Sequence, residues 1–465
     1  MNTLRNIRIY IKHAVLLFIA IFTIETVAQN YQSKHRLVVL TDIEGDPDDS
    51  QTLVRLLLYS NQIEIEGLIA TTSIHQKTRV APESIHKIID AYGNVQPNLL
   101  KHELGFPSAE KLTGMVKQGL PVFGMEGVGE GKDSEGSQWI IKILEKDDER
   151  PVWVSVWGGT NTLAHALWKI KETKSKIEAK KLISKLRIYT ISDQDDTGIW
   201  IRKNFPELFY IVSIGHYEDA TWKAINSVVE GINNDVISNE WLAENIQQGN
   251  GALGVEYPDV AYGMEGDTPS WLMLVQNGLN NEAIPNWGSW GARYEFYNPE
   301  PFKEPLFYIF RGGAEYEPES RSIWTNVNDT FTPRIPNAYG VVMQKDTLTV
   351  TNNHVTLWRW RDDFQNDFAA RMSWCTGLFE EVNHPPVPAL GHPENFTVKS
   401  GETFSLDASG TTDPDGDSLT YWWFQYLEVG SYNKPISFCM LSENLYNIHT
   451  IVAPTVENQK RLILF

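Results

Sequence analysis

Residues 42–49 read DIEGDPDD, so Asp42, Glu44, Asp46, Asp48 and Asp49 put five carboxyls into eight positions. Like charges this close repel and raise one another's pKa, so the run is costly unless a cation sits among them. Several anionic oxygens in one place are what Ca²⁺ takes as ligands. A solvated turn, with Asp49 or Ser50 capping a helix, explains some of these acids but not all five. The chemistry they imply is cation binding and acid–base work.

These residues must be held by regular elements. RLVVLTD, IEIEGLIATT, PVWVSVWGG, KLRIYTISD and FPELFYIVSIG read as strands, and SQTLVRLLLYS, PESIHKIIDAYG and TLAHALWKIKET as amphipathic helices between them. The alternation predicts an α/β fold, an open and mainly parallel sheet with helices on both faces. In such sheets ligands bind beyond the carboxyl ends of the strands. Residues 42–49, 71–75, 158–161 and 193–196 each follow a strand, so all four are expected at one edge. Asp195 and Asp196 either bind substrate there or open a helix. His75 is a candidate to line the site, His86 reads as a helix-face residue, and His216 and Asp219 follow the last strand.

The 465 residues carry a net charge of −19 with 42% hydrophobic content, enough for two or three domains. That acidity argues against a nucleic-acid partner, which needs clustered Lys and Arg, and suits neutral substrates or cations. Arg5, Arg8 and Lys12 precede AVLLFIAIFTI and the small residues around Val27 and Ala28. The pattern predicts a secretory signal over 1–28, cleaved on export to the periplasm, cell surface or exterior; an uncleaved anchor is the alternative. No later segment is apolar enough to span a bilayer. Cys375 and Cys439 are the only cysteines and fall in different predicted domains, so the fold must rest on its core.

LWRWRDDFQNDFAARMSW reads as a helix closing a first domain, 34–383. The proline-rich NHPPVPALGHPENF begins a second, 384–465, whose short alternating segments and Gly/Asp/Ser turns predict a small immunoglobulin-like β-sandwich. About 80 residues fall short of the roughly 100 such a domain uses, so it is expected to be incomplete. Its DPDGD run, Asp413 to Asp417, is explained by a turn, with Ca²⁺ binding as the less favoured reading.

DIEGDPDD resembles the nucleoside hydrolase signature D-x-D-P-G-x-D-D. VSVWGGTNTLAHAL is similar to that family's Gly-Pro-Leu-Thr-Asn segment, and YGMEGDTP places Asp267 where the family has its late metal-binding Asp. IEGLIATTS, AYGMEGDTPSWL and the β-sandwich tail resemble more closely a secreted bacterial branch described as cellulose-binding and nucleoside hydrolase-like. The resemblance implies the nucleoside hydrolase fold and a Ca²⁺ held by Asp42, Glu44, Asp49, the Thr160 carbonyl and Asp267. It implies hydrolysis of an N-glycosyl bond by a metal-activated water, with Glu44 or Asp42 as base. Asp48, Asn161 and Asn204 are the implied sugar contacts, beside Asp195 as the fourth-loop candidate.

The chain departs from the family pattern at several places. Glu44 stands where the family has its second Asp, Gly45-Asp46 replaces Pro-Gly, ATTSIHQ offers no Asn for a ribose diol, and Gly266 replaces a His before the late Asp. Trp200, Trp222, Trp271, Trp287 and Trp290 lie in or near the predicted site loops. Singly they read as core; together they suggest a carbohydrate-sized cleft, with Trp271 as the stacking candidate. Two readings therefore stand: a Ca²⁺-dependent hydrolase of N-glycosyl bonds, or a secreted protein that binds cellulose or another polysaccharide through the same pocket without turnover.

Overall fold

A computed structural model describes residues 33–213, 225–261, 263–299, 319–336, 342–344, 346–436 and 447–464. The expectations for the signal segment and for His216, Asp219, Trp222 and Cys439 lie outside the described residues.

The first strand, β1, spans His35–Thr41 and leads into helix α1, Asp48–Leu57. Then come β2 (Ile63–Ala70), α2 (Pro82–His102), the short β3 (Val116–Gln118), α3 (Glu135–Leu144) and β4 (Val152–Val156). Next are α4 (Asn161–Thr173), β5 (Leu186–Ile191), α5 (Thr197–Asn204) and β6 (Phe209–Ser213). A four-residue helix α6 (Pro269–Leu272), strands β7 (Tyr294–Tyr297) and β8 (Ile323–Asn326), and helix α7 (Arg361–Ser373) follow, with shorter elements between them.

The strands form one eight-stranded sheet in the order β3-β2-β1-β4-β5-β6-β8-β7. Every neighbouring pair with a determined register is parallel except β7 with β8. Successive residues of β1 point to opposite faces and both faces are covered. Leu37 and Val39 join the core made by α1, α2 and α7, while Val38 and Leu40 join that made by α3, α4 and α5. Apolar residues on both faces explain why these strands read as continuous hydrophobic runs. The order places the switch point between β1 and β4, because the chain leaves β1 in one direction and returns to β4 on its other side.

One boundary differs from expectation. Gly93 and Pro97 suggest that the second helix stops early, yet α2 continues to His102 with Pro97 inside it. Ile85, Ile88, Ile89, Tyr92, Val95 and Leu99 carry one buried stripe through both residues, and that packing outweighs the lost hydrogen bond.

In the C-terminal part, Thr403–Asp407 and Ile448–Val452 pair antiparallel, and bridges join Val387 to Thr412 and Gln425 to Leu464. These describe a small β domain. DPDGD is a turn: the Asp413 carboxylate accepts from the N–H of Asp415 at 2.9 Å and of Asp417 at 3.1 Å, and Gly416 supplies φ 80°. Tyr426 is buried and donates to Asp329, so this domain packs into the larger one. Cys375 is buried. No helix among the described residues is long and apolar enough to cross a membrane.

Candidate functional site: an acidic cluster at the switch point

The four loops meet at the carboxyl edge. Gly159 N–H donates to the carbonyl of Thr72 at 2.9 Å, Ile74 N–H to that of Gln194 at 2.9 Å, and the Ser73 hydroxyl to Asp42. The packing leaves no room for side chains at the glycines: a Cβ on Gly158 meets Asp42 Oδ1 at 2.6 Å and one on Gly159 meets Asp195 Oδ2 at 2.4 Å. Those two glycines let the β4 loop close over the β1 and β5 loops.

Asp42, Asp48, Asp49 and Asp267 are buried together, and Asp46 sits half-buried beside them. Asp46, Asp48 and Asp49 each offer a carboxylate oxygen, and these atoms lie within 4.8 Å of one another. Helix α1 explains part of the arrangement, since Asp48 and Asp49 form its first turn, where the helix dipole favours acids. The Thr41 hydroxyl donates to Asp49 and in turn accepts from Ile43 N–H at 3.0 Å.

Burial pushes the Asp42 carboxyl up to about 7; the Ser73 hydroxyl works against this and Asp46 adds to it. Asp48 is held well above the usual carboxylate range by burial and then by Asp267, and Asp49 by burial and then by Asp42 and Asp46. Asp267 is raised by burial and then by Asp49, Asp42 and Asp46, while a hydrogen bond from Asp48 lowers it. Two carboxyls hydrogen-bond only across a proton. The cluster therefore demands protons or a cation, and its all-oxygen donor set fits a hard divalent ion.

Glu44 stands apart, and the expectation of a base and metal ligand at this position is corrected. Its backbone adopts φ 77°, and its carboxylate pairs with Arg79 and accepts from Ser84, which lowers its pKa, the Ser84 contact most. Asp46 takes the place in the cluster, a residue that matching on the D-x-D spacing passes over. The signal lay in the sequence: Asp46 and Pro47 sit two residues later than the family's Asp-Pro.

Other expected sugar contacts are occupied within the protein. The Asn161 amide donates to Thr72 Oγ1 at 2.9 Å and to the Val122 carbonyl at 2.7 Å, and its oxygen accepts from Thr71 at 2.7 Å and Thr162 N–H at 2.9 Å. Buried Asp195 accepts from Asn161 N–H at 3.1 Å, Thr197 N–H at 2.9 Å and the hydroxyls of Thr160 and Thr197, while burial raises its pKa to about 6. Both residues join loops instead of presenting free groups. Asp196 likewise accepts from Met125 N–H at 2.8 Å. The Thr160 carbonyl accepts from Ala164 N–H at 2.8 Å as α4 begins.

Asn204 ends α5, two turns beyond Asp195, and meets Lys171 near the end of α4. A helix leaving the carboxyl edge runs back along the strands, so Asn204 lies away from the cluster and is not a sugar contact. Trp271 is fully buried on α6, its ring 5.4 Å from Tyr59, so it packs the core and cannot stack a sugar. Trp200 packs edge-on against Phe205, Trp287 lies beneath Arg461, and Trp290 meets Phe364. His75 is exposed at the rim within the field of Asp46, and His86 is half-buried on α2.

A family model described as "Cellulose-binding Sde182, nucleoside hydrolase-like domain" matches residues 36–294, and one described as "Cellulose-binding protein Sde0182, C-terminal domain" matches residues 403–464. A solved structure, of a nucleoside hydrolase-related hypothetical protein from Saccharophagus degradans associated with carbohydrate metabolism, superposes with a TM-score of 0.73 at 33% identity, covering 93% of this chain and 94% of that one. No curated protein matches the chain.

Proposed function

The chain belongs to the cellulose-binding, nucleoside hydrolase-like family, and from that membership we propose that its acidic cluster holds Ca²⁺ and that the site binds carbohydrate. The observation that carries this reading is five neighbouring aspartates, four of them buried and raised first by burial and then by the charges of the others. Asp46, Asp48 and Asp49 are the nearest-matched ligands, with Asp42 and Asp267 beside them, and the Thr160 carbonyl is the proposed backbone ligand from the β4 loop. A bound Ca²⁺ supplies a hard, positively charged anchor for sugar hydroxyls. The protein's part is to hold the oxygens: Ser73 orients Asp42, Thr41 orients Asp49, and Asn161 with Asp195 fixes the loops. The family's description supports cellulose or a related polysaccharide as the ligand, an exported protein, and a role for the C-terminal domain, proposed as immunoglobulin-like over 384–465, in the same binding.

One observation favours a second reading, hydrolysis of an N-glycosyl bond. Asp42 is the cluster carboxylate that Ser73 orients at the strand end and so the one placed to act as base, whereas Glu44 is engaged by Arg79 and Ser84.

Calorimetric titration with Ca²⁺ should give heat for wild type and none for Asp49→Asn; equal responses would sink the metal assignment. Retention on insoluble cellulose should fall when EDTA replaces Ca²⁺, and EDTA-insensitive retention would move binding away from the cluster. Release of base or aglycone from a panel of nucleosides and glycosides, abolished by Asp42→Asn, would establish the second reading over simple binding.

A further inference from the structure

The Asp267 carboxyl is acted on by burial and by the repulsion of Asp49, Asp42 and Asp46, with a hydrogen bond from Asp48 as the attractive contact. Something outside that carboxyl must keep it facing like charges. We propose that Glu265, paired with Arg55, is the positioning residue that locks the turn bearing Asp267 onto α1 and thereby sets cation affinity. This rests on the cation reading given above.

The geometry follows from helix periodicity. Asp48, Gln51, Thr52 and Arg55 recur at i, i+3, i+4 and i+7 of α1, so they line one face. That face runs along residues 265–268. Gln51 Oε1 accepts from Glu265 N–H at 2.9 Å, the hydroxyls of Thr52 and Thr268 lie 3.0 Å apart, and Arg55 meets Glu265 with contacts of 2.5 and 2.9 Å. Tyr257 and Thr268 each donate to the same carboxylate at 2.7 Å. Both partners of the ion pair have no exposed side-chain surface. Arg55 is itself tied to α7 through the Phe364 carbonyl at 3.0 Å and Gln365.

Glu265 also holds φ 47°, a conformation unfavourable for a residue with a side chain, so the surrounding contacts over-determine it. An apolar residue could fill the space with similar stability, since buried ion pairs add little net stabilisation. A charged, directional pair does what an apolar contact cannot: it fixes the register of the turn against α1. Asp267, two residues on, is then carried to Asp48 and Asp49 at the opposite end of the same helical face. The arrangement separates the group that faces the cluster from the group that resists its repulsion.

The test uses the full chain, with Ca²⁺ as probe, thermal unfolding in EDTA and in Ca²⁺, and calorimetry for affinity. Glu265→Gln should weaken Ca²⁺ binding about tenfold to a hundredfold, as loss of a group orienting a metal ligand does, and shrink the midpoint rise that Ca²⁺ produces. Glu66→Gln is the control. It breaks the buried pair between Glu66 on β2 and Arg36 at the start of β1, away from the loops, and should lower the midpoint in EDTA while leaving Ca²⁺ affinity unchanged. If Glu265→Gln does not fold, Thr52→Val, which removes only a hydroxyl contact from the same staple, should weaken Ca²⁺ binding several-fold with the fold intact. Wild-type affinity in Glu265→Gln, or in Thr52→Val if that variant has to serve, would overturn the positioning role while leaving the cation reading standing. A folded wild-type protein with no Ca²⁺ response would overturn both.

Discussion

Two groups of buried carboxylate are handled in opposite ways. Asp329 is 1% exposed and accepts from Arg293 at 2.7 Å, from Arg359 at 3.2 Å and from the Tyr426 hydroxyl. Asp193 receives two bonds from Arg202, and Glu265 is paired with Arg55. Asp48, Asp49 and Asp267 are as deeply buried, yet the charges that act on them most are those of other acids. Among the described residues, arginines pair with Asp329, Asp193 and Glu265, and none pairs with this cluster. Acids neutralised from within serve the fold, whereas the acids left to repel one another are the ones on which the proposed cation site rests.

The largest expected effect breaks the first arrangement. Asp329→Ala leaves two guanidiniums without their buried partner and should cost about 3–5 kcal/mol by urea unfolding. Asp49→Asn should instead stabilise the protein in EDTA, because it removes a repelling charge. A neutral Asp329→Ala, or a destabilised Asp49→Asn in EDTA, would erase the contrast.

Next in size is the pH dependence. Asp42 is raised from its ordinary 3.8 to about 7 in the fold. The folded carboxyl keeps its proton to higher pH than the unfolded one, so its favourable contribution is complete below about 4 and is lost as pH rises through about 7. Between those limits, wild type in EDTA should lose stability on the order of 3 kcal/mol more than Asp42→Asn does; parallel pH profiles would refute this. Ca²⁺ at a hundred times its dissociation constant should then restore about 2.7 kcal/mol at neutral pH, and less in acid, where protons compete. Unchanged unfolding on adding Ca²⁺ at pH 7 would count against the site. The smallest effect is at Glu44: its exposed pair with Arg79 predicts at most about 1 kcal/mol for Glu44→Gln, with Ca²⁺ affinity intact. A large loss of affinity there would return Glu44 to the ligand set.

Where chemistry follows spacing, it was legible. The strand-then-acid pattern located the carboxyl edge, because parallel βαβ units leave every strand end on the same side, and Asp42, Asp48, Asp49 and Asp267 do meet there. Asn204 was misplaced because its motif match ignores that α5 has already carried the chain two turns back from the edge. Trp271 was misread because an indole reads the same in a core as in a cleft; its full burial against Tyr59 decides. The continuation of α2 through Pro97 was hidden for a similar reason, since local propensity does not weigh a stripe of packed side chains.

The sequence by itself determined the alternation of strands and helices, the acidic run at the first strand's end and the late aspartate, since these depend on residue order and periodicity. Only the tertiary structure decided which carboxyls share a space. Glu44 and Asp46 are two residues apart and chemically alike, but a left-handed backbone at Glu44 and the nearby Arg79 turn one outward and leave the other among the aspartates. Likewise, 210 residues separate Arg55 from Glu265, and no local pattern foretells that pairing. Electrostatic partnership is a matter of distance in space and of what excludes water there, and folding alone sets both.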